Sequence, residues 1–142
     1  MDPANAETYN LLGVLYYRTN QFEKAIMNYL KAIELNPQSA LYYQNLGLAY
    51  DDNGQIDQAE DAYLKSLKID PNDDRCLNLA GVFYHAKRNN YKTALELYNQ
   101  AIKINAKEPN YFLNLGNVYT LLNDNKQAAT AFAMAEELQK VT

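Results

Sequence analysis

The chain has 142 residues, 48% hydrophobic and 21% charged, with a single cysteine, so it can bury a core without disulfides and lies outside the composition of disordered chains. Its net charge is −4 and its 13 basic residues are scattered, the longest basic cluster being Lys87-Arg88, which argues against nucleic acid or a membrane surface as partner. No apolar stretch approaches the ~20 residues needed to span a bilayer, and the start Met1-Asp2-Pro3-Ala4-Asn5 does not read as a signal peptide.

Ala, Leu and Asn dominate while Val and Thr are sparse, a mix that favours helix over strand. From the N-terminus, Tyr9, Leu12, Gly13 and Tyr16 fall at i, i+3, i+4 and i+7 and predict one stripe of a helix. The polar stretch Arg18-Thr19-Asn20-Gln21 reads as a tight turn. Ala25, Tyr29 and Ala32, at i, i+4 and i+7, predict a second helix running back, which Pro37 ends. A second unit repeats this with Tyr43, Leu46, Gly47 and Tyr50, the turn Asp51-Asp52-Asn53-Gly54, then Ala59, Tyr63, Ser66 and Asp70-Pro71. The third carries Leu77, Ala80, Gly81 and Tyr84, then Ala94, Tyr98 and Ala101. It has one extra residue, expected in the turn around Arg88-Asn89-Asn90, where insertions cost little. The fourth carries Phe112, Leu115, Gly116 and Tyr119, then Ala128, Phe132 and Ala135.

The four repeating glycines are 34, 34 and 35 residues apart, and a period of this size is the mark of a repeat architecture. Small residues let paired helices approach closely while aromatics fill the gaps beside them. One pair cannot bury its own stripe, so the pairs must stack.

These residues resemble the tetratricopeptide repeat, whose pattern is aromatic-x-x-Leu-Gly-x-x-Tyr, then Ala-x-x-x-aromatic-x-x-Ala, then Pro. Leu77, Ala80 and Ala106 depart from it. The resemblance covers essentially the whole chain. It implies an all-α, right-handed superhelical solenoid of about four antiparallel helix pairs, in one domain with repeats at about 6–39, 40–73, 74–108 and 109–142. It also implies a protein-binding scaffold rather than an enzyme, with the first helix of each pair lining a concave groove.

On that geometry the groove face comprises the residues six and three before each glycine and one, four and five after it. The pairs thus offer Glu7, Asn10, Val14, Tyr17 and Arg18; then Leu41, Gln44, Leu48, Asp51 and Asp52; then Arg75, Asn78, Val82, His85 and Ala86; then Asn110, Leu113, Asn117, Thr120 and Leu121. Asn10, Gln44, Asn78, Asn110 and Asn117 form a run of carboxamides, with Asn45 and Asn114 at its margin. Carboxamides both donate and accept, so a row of them suits an extended peptide backbone. Val14, Leu48 and Val82 make an apolar strip alongside. The alternative is that Asn is here a surface residue of an Asn-rich chain.

Some relatives clamp the acidic C-terminus of a chaperone with two Lys, two Asn and an Arg. The matching places hold Asn10, Val14, Asn45, Arg75 and Leu79, of which Asn45 matches and Arg75 is a basic substitute. The repeat arm of O-linked N-acetylglucosamine transferases carries an asparagine ladder two residues before the glycine. Those places read Leu11, Asn45, Leu79 and Asn114, so half of the ladder is present.

Reactive chemistry is sparse. His85 is the only histidine and has no nucleophile or paired carboxylate in a motif around it. Cys76 reads as a small buried residue, one Cys and one His cannot hold zinc, and no glycine-rich phosphate loop exists. No cofactor or metal is expected.

Asp2-Pro3-Ala4 parallels the unit junctions Asn36-Pro37 and Asp70-Pro71, so the chain reads as a piece of a larger protein; alternatively Pro3 simply begins a helix. The last helix, roughly Lys126 to Lys140, is expected to expose Ala129, Ala133, Met134 and Leu138, which raises self-association through the terminal helices as a second possibility; a regulatory arm of a larger enzyme is a third. The sequence specifies no compartment, with the cytoplasm favoured.

Overall fold

The computed structural model describes residues 5–141. The Pro3 junction discussed above, Met1 and Thr142 lie outside them. Among the described residues the chain forms eight α-helices and no strand: α1 (Ala6–Arg18), α2 (Phe22–Leu35), α3 (Ala40–Asp52), α4 (Ile56–Ile69), α5 (Asp74–Lys87), α6 (Tyr91–Ile104), α7 (Pro109–Leu121) and α8 (Asn125–Lys140). The all-α helix-pair architecture expected from the period is what the chain adopts.

Helix boundaries follow from local chemistry. Asn5, Asp73, Asn90, Glu108 and Asp124 each accept a hydrogen bond from a first-turn amide of α1, α5, α6, α7 and α8 respectively. Every turn inside a pair contains one residue of positive φ: Asn20, Gly54, Asn89 and Asn123. Only glycine and, more tolerably, asparagine visit that region at low cost. The extra residue of the third pair falls just before this point. It lengthens α5 to 14 residues, against 13 in α1, α3 and α7. The closing bond therefore runs from the Asn90 amide to the Tyr84 carbonyl, six residues back, where Gln21, Gln55 and Asp124 reach five.

The chain divides into two compact units, one ending at Pro71 and the other beginning at Asn72. In the first, α1 packs on α2, α3 on α4, and α2 on α3. Ala25, Ile26, Tyr29, Leu46, Ala49 and Ala62 form its core, with Ile33 and Tyr50 packed against it. In the second, α5 packs on α6, α7 on α8, and α6 on α7. Ala94, Tyr98, Leu115, Val118 and Ala131 form that core, with Leu95 and Ile102 against it. The glycine of each pair lies under the aromatic ring of its second helix. A Cβ built on Gly13 would come 2.5 Å from Tyr29, and one on Gly81 2.6 Å from Tyr98. Ser66, in the place alanine holds in the other pairs, is buried and donates its Oγ to the Ala40 carbonyl at 2.8 Å.

The two terminal helices differ. Ala129, Ala133 and Met134 of α8 are exposed and Leu138 is half-buried. Yet the positions that carry stacking residues Ile26 and Ile33 in α2, and Leu95 and Ile102 in α6, are held in α8 by Ala129 and Glu136. Glu136 pairs with Lys140 at the surface. This face is smaller and more polar than those that stack. On α1, in contrast, Leu11 and Leu15 are 59% and 58% exposed, whereas Ala49 and Val118, the counterparts of Leu15 in α3 and α7, are fully buried. The apolar end is α1.

Candidate peptide-binding surface

In the first unit most of the groove residues are engaged inside the fold. Asn10 and Gln44 are each 3% exposed. Asn45 donates its Nδ2 to Oδ1 of Asn10 at 2.9 Å, and Asn10 in turn donates to Glu7 at 3.4 Å. Gln44 leaves its Nε2 without a hydrogen-bond partner among the described residues. Tyr17 donates its hydroxyl to Asp52 and packs its ring 5.7 Å from that of Phe22. Val14 and Leu48 are half-buried, and Val14 packs on the core. Both amides of the Asn10–Asn45 pair thus tie α1 to α3.

The second unit repeats the tie and leaves more of its surface open. Asn114 donates its Nδ2 to Oδ1 of Asn78 at 2.8 Å, linking α5 and α7. Beside this pair Arg75, Asn78, Leu79, Glu108, Asn110 and Tyr111 line a recess of about 240 Å³. Arg75 and Asn110 are exposed, and Asn110 donates its Nδ2 to Glu108, whose carboxylate caps α7. Arg75 makes no ion pair among the described residues. Asn117 and Val82 are exposed, while His85 is half-buried with its ring 6.0 Å from that of Tyr91. The recess therefore offers one unpaired guanidinium, the Nδ2 of Asn78 and the Oδ1 of Asn110 within a few residues of an apolar edge at Val82. That set can hold a carbonyl, an amide or a carboxylate of an extended chain.

Sequence reasoning missed a second kind of tie between first helices. Tyr42 donates its hydroxyl to Glu7 at 3.1 Å, and Tyr111 donates to Asp74 at 2.8 Å. Burial and then the hydrogen bond to Asp74 raise the Tyr111 phenol above its ordinary range. Burial pushes the Asp74 carboxyl up, but hydrogen bonds from Tyr111, Asn105 and the backbone outweigh it and hold the group below its usual value. The signal was in the sequence, since Tyr42 and Tyr111 both stand five residues before their glycines. Their acceptors, one helix away, are set only by packing.

Cys76 is buried and its amide is capped by Asp73. Among the described residues no three of His, Cys, Asp and Glu are placed to hold a metal ion, and no helix is long and apolar enough to cross a membrane.

Known proteins share this arrangement. A crystal structure of MamA superposes with a TM-score of 0.90 at 24% identity, covering 98% of this chain and 81% of that one. PilF of Pseudomonas aeruginosa gives 0.87 at 26%, covering 95% of this chain and 61% of that one. BtubC from P. vanneervenii gives 0.87 at 22%, covering 96% of this chain and 63% of that one. No curated protein matches the sequence itself. A model described as TPR repeat matches residues 15–54 and 85–123, together more than half of the chain, and tetratricopeptide-repeat models match 40–73 and 62–96. With the glycine-under-aromatic packing of all four pairs, these matches place the chain in the tetratricopeptide-repeat family of protein-interaction scaffolds.

Proposed function

We propose that the chain is a non-catalytic scaffold that holds an extended peptide or protein segment against its first helices, chiefly the face of α5 and α7. The observation that carries this reading is the recess between them. It combines an unpaired Arg75 with half-satisfied amides of Asn78 and Asn110, and Val82, His85 and Asn117 follow one to two turns farther along α5 and α7. In the first unit, Asn10 accepts from Asn45 and donates to Glu7, so its amide is used within the fold. The test is selection of phage-displayed peptides on the intact chain, followed by the double variant Arg75→Gln/Asn117→Ala. Selected peptides should lose at least tenfold in affinity while the helical circular dichroism is unchanged. Peptides that bind the variant equally well would remove this face as the site.

A second reading, self-association, has one specific observation in its favour: the exposure on α1 of Leu11 and of Leu15, the latter at a position buried in α3 and α7. Sedimentation equilibrium from micromolar to millimolar concentration tests it. A dimer lost in Leu11→Glu/Leu15→Glu supports end-to-end association through α1, and a monomer throughout rejects it.

A further inference from the structure

The outer side of the first unit carries a cleft that the groove does not use. It runs along α4 from Gln58 and Asp61 to Lys68 and Ile69, about 17 Å at 1.5 Å per residue. One part is a cavity of about 240 Å³ walled by Leu30, Ile33, Leu46 and Tyr50. Through Tyr43 and Lys65 it continues into a second cavity of about 460 Å³, completed by Gln38, Lys68 and Ile69. Asp61 lines only the first cavity, so the cleft is acidic toward the start of α4 and basic toward its end.

Neither Lys65 nor Lys68 pairs with a carboxylate among the described residues, and the Tyr43 hydroxyl makes no hydrogen bond there. The second unit supplies an internal control. Adding 69 to a residue number in α2–α4 gives its counterpart in α6–α8, as Gly47 gives Gly116 and Ala59 gives Ala128. The counterparts of Tyr43, Lys65 and Lys68 are Phe112, Met134 and Glu137, and that of Leu30 is Asn99. Each donor is replaced by a group that cannot donate, one of them of opposite charge. Fold requirements common to both units therefore do not account for the three donors beside an apolar wall in a chain of net charge −4.

We infer that this cleft is a second docking site, for a protein segment in which bulky apolar residues adjoin carboxylates. The apolar part, about 240 Å³, has room for one or two side chains. Carboxylates beside them meet Lys65 and Lys68. Exposed ion pairs contribute little each, so the apolar contact supplies most of the affinity and the lysines supply selectivity and salt dependence. The site is independent of the α5–α7 recess.

The test is titration of the ¹⁵N-labelled full chain with acetyl-Leu-Phe-Asp-Glu-amide, read by amide chemical shifts. Expected are saturable shifts at Tyr43, Lys65 and Ile69, with Asn78 and Asn117 unmoved. Lys65→Glu/Lys68→Glu, whose side chains are exposed, should weaken binding at least tenfold, as should the neutral peptide acetyl-Leu-Phe-Asn-Gln-amide. Shifts confined to α5 and α7, no saturable shift, or equal binding of the neutral peptide would overturn the proposal. Laurate binding in the cleft where the peptide does not would also overturn it, in favour of a fatty anion.

Discussion

Asn45 donates its side-chain amide to Asn10 at 2.9 Å across 35 residues of sequence, and Asn10 is buried. A buried acceptor stripped of its donor loses its solvation with nothing in exchange, about 1–3 kcal/mol, whereas removing both partners together costs less. Asn45→Leu is expected to destabilise by about 1–3 kcal/mol in urea unfolding, and Asn10→Leu/Asn45→Leu by clearly less than the sum of the singles. Asn117→Ala, on an exposed side chain, should stay within about 0.5 kcal/mol of wild type. Strict additivity of the Asn10 and Asn45 effects would mean that the amides act independently.

Gly13 and Tyr29 define the closest approach within a pair. A Cβ on Gly13 would lie 2.5 Å from the ring of a residue that is itself buried. Alanine gains about 1 kcal/mol of helix propensity over glycine, but overpacking a closed core costs about 1–3 kcal/mol. Gly13→Ala should therefore be destabilising on balance, and the loss should shrink when Tyr29→Leu opens the space. A stabilising Gly13→Ala would show that the ring yields and that the close approach is not required.

The Tyr98 ring fills the same role above Gly81, but its hydroxyl is buried without a hydrogen-bond partner among the described residues. Burial alone raises its phenol above the ordinary range. The fourth pair holds Phe132 at this place. An unpaired buried hydroxyl costs about 1–3 kcal/mol, so Tyr98→Phe should raise stability by ~1 kcal/mol and shift the thermal midpoint upward. A drop in midpoint would reveal a partner for the hydroxyl.

Much of the fold was legible because helix pairing here is written in single residues at a fixed period. Gly13, Gly47, Gly81 and Gly116 mark where a ring must fit, and Ala25, Ala59 and Ala94 mark where second helices touch. The surplus residue of the third pair was placed near the turn, and it lies at the end of α5. The site was less legible. Asn10 and Gln44 read as groove residues from their register, yet register gives a direction on one helix and not the neighbour that covers it. The pairing partners had a faint signature: Asn precedes the glycine by two only in the second and fourth pairs, as Asn45 and Asn114, where Leu11 and Leu79 stand in the others. Which amide turns inward depends on how α1 crosses α3 and α5 crosses α7, and the period of one helix does not encode that.

Tyr111 and Asp74 make the stability of the second unit depend on pH in a stated direction. The Asp74 carboxyl is held below its ordinary value, so its contribution is present above about pH 4, where the unfolded group is ionised, and is lost as pH falls through the lower folded value. The Tyr111 hydroxyl is held above its ordinary value, so its contribution is present below about pH 10 and is lost as pH rises beyond it. Tyr111→Phe removes the donor at 2.8 Å and should cost ~1 kcal/mol at pH 7. Measured by urea unfolding, that deficit should narrow as pH falls below about 4, where Asp74 of the unfolded chain takes up its proton first, and again as pH rises above about 10, where the phenol of the unfolded chain ionises first. Asp74→Asn should flatten the acid limb specifically. A deficit of constant size from pH 3 to pH 11 would mean that the bond contributes packing alone and that the carboxylate carries no share of it.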